Sequence, residues 1–182
     1  DVALVDEVLV IDDHSTDDTA AVARAAGAHV AAAAEVLPEH GAGHGKGEAL
    51  WKSLHLSSGD LVVWCDGDLV DFDPAFVTGI VGPLLERPEI GFVKGFYDRP
   101  LNDQGEGGGR VTELVARPVL SFLFPALAAV EQPLGGEYGG RRDVLEQLPF
   151  VKGYGVDIGL LIDVSRRFGI DAIAQVDLGE RR

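Results

Sequence analysis

The chain predicts an α/β fold, a mostly parallel sheet flanked by helices, and three observations lead there. Leu61-Val62-Val63-Trp64-Cys65 is an apolar run that ends in Asp66-Gly67-Asp68, the pattern of a buried strand delivering carboxylates to the edge of a sheet. Glu7–Ile11 reads as a strand, Thr16–Ala26 as a helix stopped by Gly27, and Ala28–Ala32 as a weaker strand. Strand, helix, strand at this spacing is a βαβ unit and makes the two strands parallel. The Gly-rich segment Pro38–Gly47 leads into a helix from Glu48 to about Ser57, just before the opening strand.

The remaining elements follow in order. Ser15 with Asp18 three residues on is a capping-box pattern for the first helix. Asp73-Pro74 starts a helix through about Leu85, with Pro74 in its first turn. Gly91–Tyr97 reads as a strand and Asn102–Gly109 as a flexible loop. Arg110 opens a helical segment that Pro118 should kink and Pro125 end or interrupt. Gln132–Arg142 is turn-rich, with room for a short strand at Glu137-Tyr138. Asp143–Leu148 is a short helix, Val156–Phe168 a longer one before Gly169, and Ile173–Leu178 a last strand. There is no internal repeat and no linker that would divide the chain.

The bulk numbers narrow the function. A chain of 182 residues with 46% hydrophobic residues supports one domain with a sizeable core. No apolar run reaches membrane-spanning length, and no signal-peptide pattern opens the chain. A single cysteine fits a reducing cytoplasm. The net charge of −15 argues against nucleic-acid and anionic-membrane partners. Any phosphorylated ligand then needs a local cation cluster or a metal. The chain opens on Asp1 and contains no Met, which reads as a fragment of a longer protein.

Five stretches carry candidate chemistry. Asp12 and Asp13 end the first strand; they are either turn residues or acceptors for a ribose or base edge. Lys46 lies between Gly45 and Gly47 at a helix start, where an ammonium and the helix N-terminus together favour a diphosphate. The same lysine also reads as a surface residue in a mobile loop. This is not a P-loop, because Lys46 precedes Gly47 instead of Ser or Thr. His40 and His44 read as solvated loop histidines. Asp66 and Asp68, with Gly67 between them, suit a hard divalent cation. Asp71 and Asp73 are expected to cap the next helix, and Cys65 to be an unreactive thiol. Gly107-Gly108-Gly109-Arg110 with Thr112 suits a phosphate monoester, or else is an exposed loop. Glu137 and Asp157 are candidates for binding sugar hydroxyls, Asp157 alternatively for helix capping; Arg141 and Arg142 read as surface-paired.

The block Val8–Thr19 resembles the nucleotide strand of GT-A (Rossmann-like) glycosyltransferases, V-V-D-D-G-S-x-D-x-T, with His14 in place of the glycine. Asp66-Gly67-Asp68 is similar to the D-x-D of the same enzymes. PEHGAGHGKGEALW, GDLVVWCDGDL, VKGFYDRPL, GGGRVTELVARPVL, QPLGGEY, GYGVDIGLLID and DAIAQVDLG together resemble one narrower group, the retaining glucosyl- and mannosyl-3-phosphoglycerate synthases. That resemblance implies one GT-A domain over residues 1–182, with a nucleotide-sugar half to about 100 and an acceptor half beyond, lacking its first strand and its C-terminal part. It implies a homodimeric, cytoplasmic hexosyltransferase that uses GDP-mannose, UDP-glucose or GDP-glucose, 3-phosphoglycerate and Mg²⁺ (or Mn²⁺ or Co²⁺), on the route to mannosylglycerate or glucosylglycerate. Asp13, Lys46, Asp66, Gly67 and Asp68 would bind the donor, with Asp66 and Asp68 on the metal. Gly109, Arg110 and Thr112 would hold the acceptor phosphate. Asp157, where the group has Glu, and the backbone at Leu134 would lie at the catalytic centre. A further metal-ligating His would follow Arg182. A nucleotidyltransferase and a non-catalytic sugar-nucleotide scaffold are the rival readings.

Overall fold

The computed structural model describes residues 3–41, 43–69, 72–98 and 111–180. Two sheets organise them. β1 (Leu9–Asp12) and β2 (His29–Ala32) pair in parallel, joined by α1 (Thr19–Ala25), as the βαβ pattern requires. α2 (Lys46–Leu56) then leads to β3 (Leu61–Trp64), and α3 (Ala75–Glu86) to β4 (Phe92–Asp98). After Thr112–Ala116 and α4 (Arg117–Leu123) come β5 (Tyr138–Arg141), α5 (Arg142–Leu145), α6 (Val156–Phe168) and β6 (Ile173–Glu180).

The second sheet has the order β3-β5-β4-β6. β6 runs parallel to β4, whereas β5 is inserted between β3 and β4 and runs antiparallel to both. The sheet is therefore mixed within an α/β fold. Tyr138-Gly139-Gly140-Arg141 has no alternation that could announce this insertion. Its glycines let it fit: a Cβ on Gly139 would stand 2.5 Å from the Val62 carbonyl oxygen.

Side-chain alternation along β4 divides the core between the two faces of the sheet. Phe92 packs with Leu50 and Leu54 of α2, Leu160, Leu161 and Val164 of α6, Trp64 and Tyr138. Val93 points the other way, onto Ile80 and Leu84 of α3. Helices thus cover both faces, and the C-terminal end of β3 and the N-terminal ends of α2 and α6 meet at one edge.

Several local expectations are corrected. α1 begins at Thr19, and its first turn is tied by Asp17, whose Oδ1 accepts from the Thr19 N–H at 3.0 Å. Ser15 forms no cap; its N–H donates to Asp12 Oδ1 at 3.0 Å. Asp73 behaves as expected and accepts from the Ala75 N–H at 2.8 Å. The break at Pro118 takes the form of a π-helical stretch, Thr112–Ala116, in which the Arg117 N–H reaches back to the Thr112 carbonyl. Arg142 does pair at the surface, with Glu146 Oε1 at 3.4 Å, but the main partners of Arg141 and Arg142 are backbone carbonyls. Arg142 donates to the carbonyls of Leu54 (2.8 Å) and Gly59 (2.7 Å) and to Ser57 Oγ (2.8 Å), closing the C-terminus of α2. Arg141 does the same below α3, through the carbonyls of Ile90 (2.9 Å) and Leu84.

Candidate active site

The site is built where β1, β3 and the starts of α2 and α6 converge. At the end of β1, Asp13 Oδ2 accepts from the Gly45 N–H at 2.7 Å, which ties the loop before α2 to the first sheet. Burial alone would raise the Asp13 carboxyl, but the Gly45 N–H, His14 and His44 outweigh it and hold it below the ordinary value. His14 occupies the left-handed region (φ 68°), so the turn keeps a glycine-type conformation with a side chain on it.

Lys46 is the first residue of α2 and the centre of the cluster. Its Nζ lies 3.0 Å from Asp66 Oδ1 and 3.0 Å from Asp157 Oδ1, and its side chain is only 16% exposed. Burial alone would lower its pKa; the two facing carboxylates reverse this and raise it. Lys46 is therefore a fixed cation and not a loop lysine. Asp157 sits in the first turn of α6 but does not cap it. Its side chain is 5% exposed and also accepts from the Tyr138 hydroxyl at 2.8 Å. A carboxylate so enclosed is tolerable because a cation and a hydroxyl both face it.

Beneath this cluster lies a second lysine. Lys94, on β4, is 1% exposed; its ammonium donates to the Gly135 carbonyl and lies 4.5 Å from the centre of the Tyr138 ring. Burial pushes its pKa down to about 7; Lys46 adds to that, and Asp157 and Glu137 oppose it. Unfolded, Lys94 would hold its proton up to about the ordinary value of 10.5. Between about pH 7 and that value the unfolded chain binds more protons, so stability rises with pH. The stability of the wild type relative to Lys94→Met is thus expected to climb from about pH 7 towards about pH 10. It is lost progressively as pH falls back to about 7, and is flat below that. Urea unfolding of both proteins checks this; a difference that stays flat across the whole range would show that folded Lys94 does not titrate there.

Gly136 completes the cradle: a Cβ there would fall 1.9 Å from Asp66 Oδ2, so only glycine leaves Asp66 in place. Asp68 is exposed, two residues further on. Cys65 is half-buried with its pKa raised to about 12, first by burial and then by Glu137 and Asp66, which matches the expectation of an unreactive thiol.

Comparison with known proteins places the chain in a family. The family model described as Glycosyl transferase family 2 matches residues 3–119. The chain belongs to glycosyl transferase family 2. Within that family it is 54% identical over 179 residues to the glucosyl-3-phosphoglycerate synthase of Petrotoga mobilis, covering 96% of this chain and 55% of that protein. It is 55% identical over 185 residues to the enzyme of the same name from Mycobacterium tuberculosis strain H37Rv, covering 98% and 57%. The crystal structure of the M. tuberculosis synthase with Mn²⁺, UDP-glucose and phosphoglyceric acid superposes with a TM-score of 0.90 at 54% identity, over 98% of this chain and 61% of that one. Another holds Mn²⁺, UDP and glucosyl-3-phosphoglycerate. The chain spans between 55% and 61% of the length of these relatives.

The residues singled out in this family 2 chain converge in part. Lys46, Asp66 and Asp157 come into direct contact, and Asp13 is tied to the residue just before Lys46. Gly67 and Asp68 stay exposed beside them, and Leu134 is half-buried next to Gly135. Glu137 is fully buried, so it is part of the interior and not a surface available to sugar hydroxyls. Thr112 opens the π-helical stretch. Gly109, Arg110 and Asp71 lie outside the described residues. Lys94 and Tyr138 were missed. The signal was there for Lys94: an ammonium in the apolar strand Phe92–Tyr97 points inward by parity, and a buried lysine needs partners.

Proposed function

We propose that the chain carries the donor-binding and catalytic core of a divalent-metal-dependent, retaining glucosyltransferase that moves glucose from UDP-glucose to 3-phosphoglycerate. The observation that supports it is Lys46, held at the N-terminus of α2 between Asp66 at the end of β3 and Asp157 at the start of α6. Cation and helix terminus together favour a diphosphate leaving group.

Asp66 and Asp68 fit a hard cation. Both offer carboxylate oxygens, Asp68 is exposed, and the missing Cβ of Gly136 leaves room for Asp66 Oδ2. A bound Mg²⁺ or Mn²⁺ would supply Lewis-acid stabilisation of the leaving diphosphate. The chain's own residues do the rest in this reading. Lys46 places a fixed positive charge beside that diphosphate, and Asp13 meets the nucleoside. Lys94 holds the Gly135 carbonyl and so fixes the Leu134–Gly136 backbone beside Asp66. Gly109, Arg110 and Thr112 hold the acceptor phosphate and orient its carbon-2 hydroxyl. Asp157 is committed to Lys46 and Tyr138, and Glu137 is enclosed; neither is placed to attack the anomeric carbon. Retention then comes from same-face attack: the acceptor oxygen bonds to the anomeric carbon, the carbon–phosphate-oxygen bond breaks, and the departing phosphate oxygen takes the proton. A trapped covalent glycosyl-enzyme would overturn that step.

The homodimer is part of the same reading, supported by exposed Leu114, Val115, Phe122 and Leu123 on one helical segment. No helix among the described residues is long and apolar enough to cross a membrane. The test is to incubate the full chain with UDP-glucose, GDP-glucose or GDP-mannose, 3-phosphoglycerate and Mg²⁺ or Mn²⁺. The expected result is glucosyl-3-phosphoglycerate and UDP from UDP-glucose, abolished by a chelator. Mannosyl product from GDP-mannose would correct the donor. Pyrophosphate release from UTP and glucose 1-phosphate, or donor binding without turnover, would overturn the reading.

A further inference from the structure

A second convergence of ligand-type side chains lies at the end of β1. Asp13, His14 and His44 each offer one atom, and these atoms all lie within 4.8 Å of one another. His14 Nδ1 is 2.9 Å and His44 Nδ1 is 3.7 Å from the same oxygen, Asp13 Oδ1. Three donors about 2.0–2.1 Å from one tetrahedral ion stand about 3.3 Å apart, and the two observed separations straddle that value.

Two features preorganise the group. The other oxygen of Asp13 is already anchored by the Gly45 N–H at 2.7 Å, which leaves Oδ1 facing the two imidazoles. His14 projects from a left-handed backbone position (φ 68°), a conformation unfavourable for a residue with a Cβ. The two rings are tilted by 54° with centroids 4.4 Å apart, converging without stacking flat. His14 and His44 are 49% and 65% exposed, so the group is open to an ion from solvent.

The donor set decides the chemistry. Asp66 and Asp68 offer oxygen alone and suit Mg²⁺ or Mn²⁺. Two imidazoles and one carboxylate suit a borderline cation instead. We propose that Asp13, His14 and His44 form a three-ligand site for a transition cation of the Zn²⁺ class, separate from the Asp66–Asp68 pair, with solvent in the fourth position; it shares Asp13 with the proposed nucleoside contact, so ion and nucleoside compete for that carboxylate. An ion there bridges the turn after β1 to the loop that leads into α2.

The test needs no transfer activity. Co²⁺ alone is titrated into the full chain and followed by visible absorption, then challenged with Zn²⁺ and with excess Mg²⁺. The expected result is one equivalent of tetrahedral Co²⁺, displaced by Zn²⁺ but not by Mg²⁺. His14→Gly is the key variant, because glycine suits the backbone at φ 68° and the fold is retained while a ligand is lost. It and His44→Ala should each weaken binding at least about tenfold, the loss that even an outer-shell change brings. His40→Ala, whose ring packs against Trp51, and Asp68→Asn should leave binding unchanged. No tetrahedral band in the wild type, undiminished binding in His14→Gly and His44→Ala, or loss of the band in Asp68→Asn would each overturn the site.

Discussion

Replacing Lys46 by methionine is expected to lower turnover by roughly 10²–10³-fold, the scale of removing one preorganised group that stabilises developing negative charge. The same change leaves Asp157, 5% exposed, and Asp66 facing each other with no cation between them. Stability should fall by about 3–5 kcal/mol, because a buried charge loses its partner. The double variant Lys46→Met with Asp157→Asn separates the two effects. Removing the stranded charge should restore much of the stability, seen as a recovered unfolding midpoint, while turnover stays low. A Lys46→Met protein that keeps turnover within about tenfold of wild type would show that Lys46 is a structural ion-pair partner only.

Gly136→Ala is expected to act through Asp66. The added Cβ would lie 1.9 Å from Oδ2 and 2.1 Å from Cγ of that carboxylate, so the Asp66 side chain must rotate away and give up its position over Lys46. Misplacement of a catalytic group by about an ångström costs on the order of 10²-fold in rate. The loss should include a metal component, read as a larger Mg²⁺ or Mn²⁺ concentration needed for half-maximal activity. Stability should change less than for Lys46→Met, by about 1–3 kcal/mol for overpacking. A Gly136→Ala protein with unaltered metal dependence would place the cation elsewhere than on Asp66.

Much of this was legible along the chain because the informative features are local. β3 and its two carboxylates, α2 (expected from Glu48 and found to start two residues earlier, at Lys46), the βαβ order of β1, α1 and β2, and α6 over Val156–Phe168 follow from apolar runs and from glycines and prolines at their ends. Local pattern failed where a partner lies far off in sequence. Arg142 reads as a surface charge until the chain brings the carbonyls of Leu54 and Gly59 to it. His44 is the exposed loop residue its sequence predicts, 65% exposed, but only the docking of the Gly45 N–H on Asp13 brings its ring within 3.7 Å of Asp13 Oδ1.

Asp157 shows the same division at the site. Its sequence position, in the first turn of a helix, favours a carboxylate for electrostatic reasons alone. Only folding supplies Lys46 from 111 positions upstream (157 − 46) and Tyr138 from the inserted strand. Sequence alone determined which elements form and which carboxylates stand at their ends, because hydrophobic periodicity and turn chemistry act over a few residues. The tertiary structure alone decided which charges neutralise one another, since burial makes an unpaired charge costly and its partner can come from anywhere in the chain.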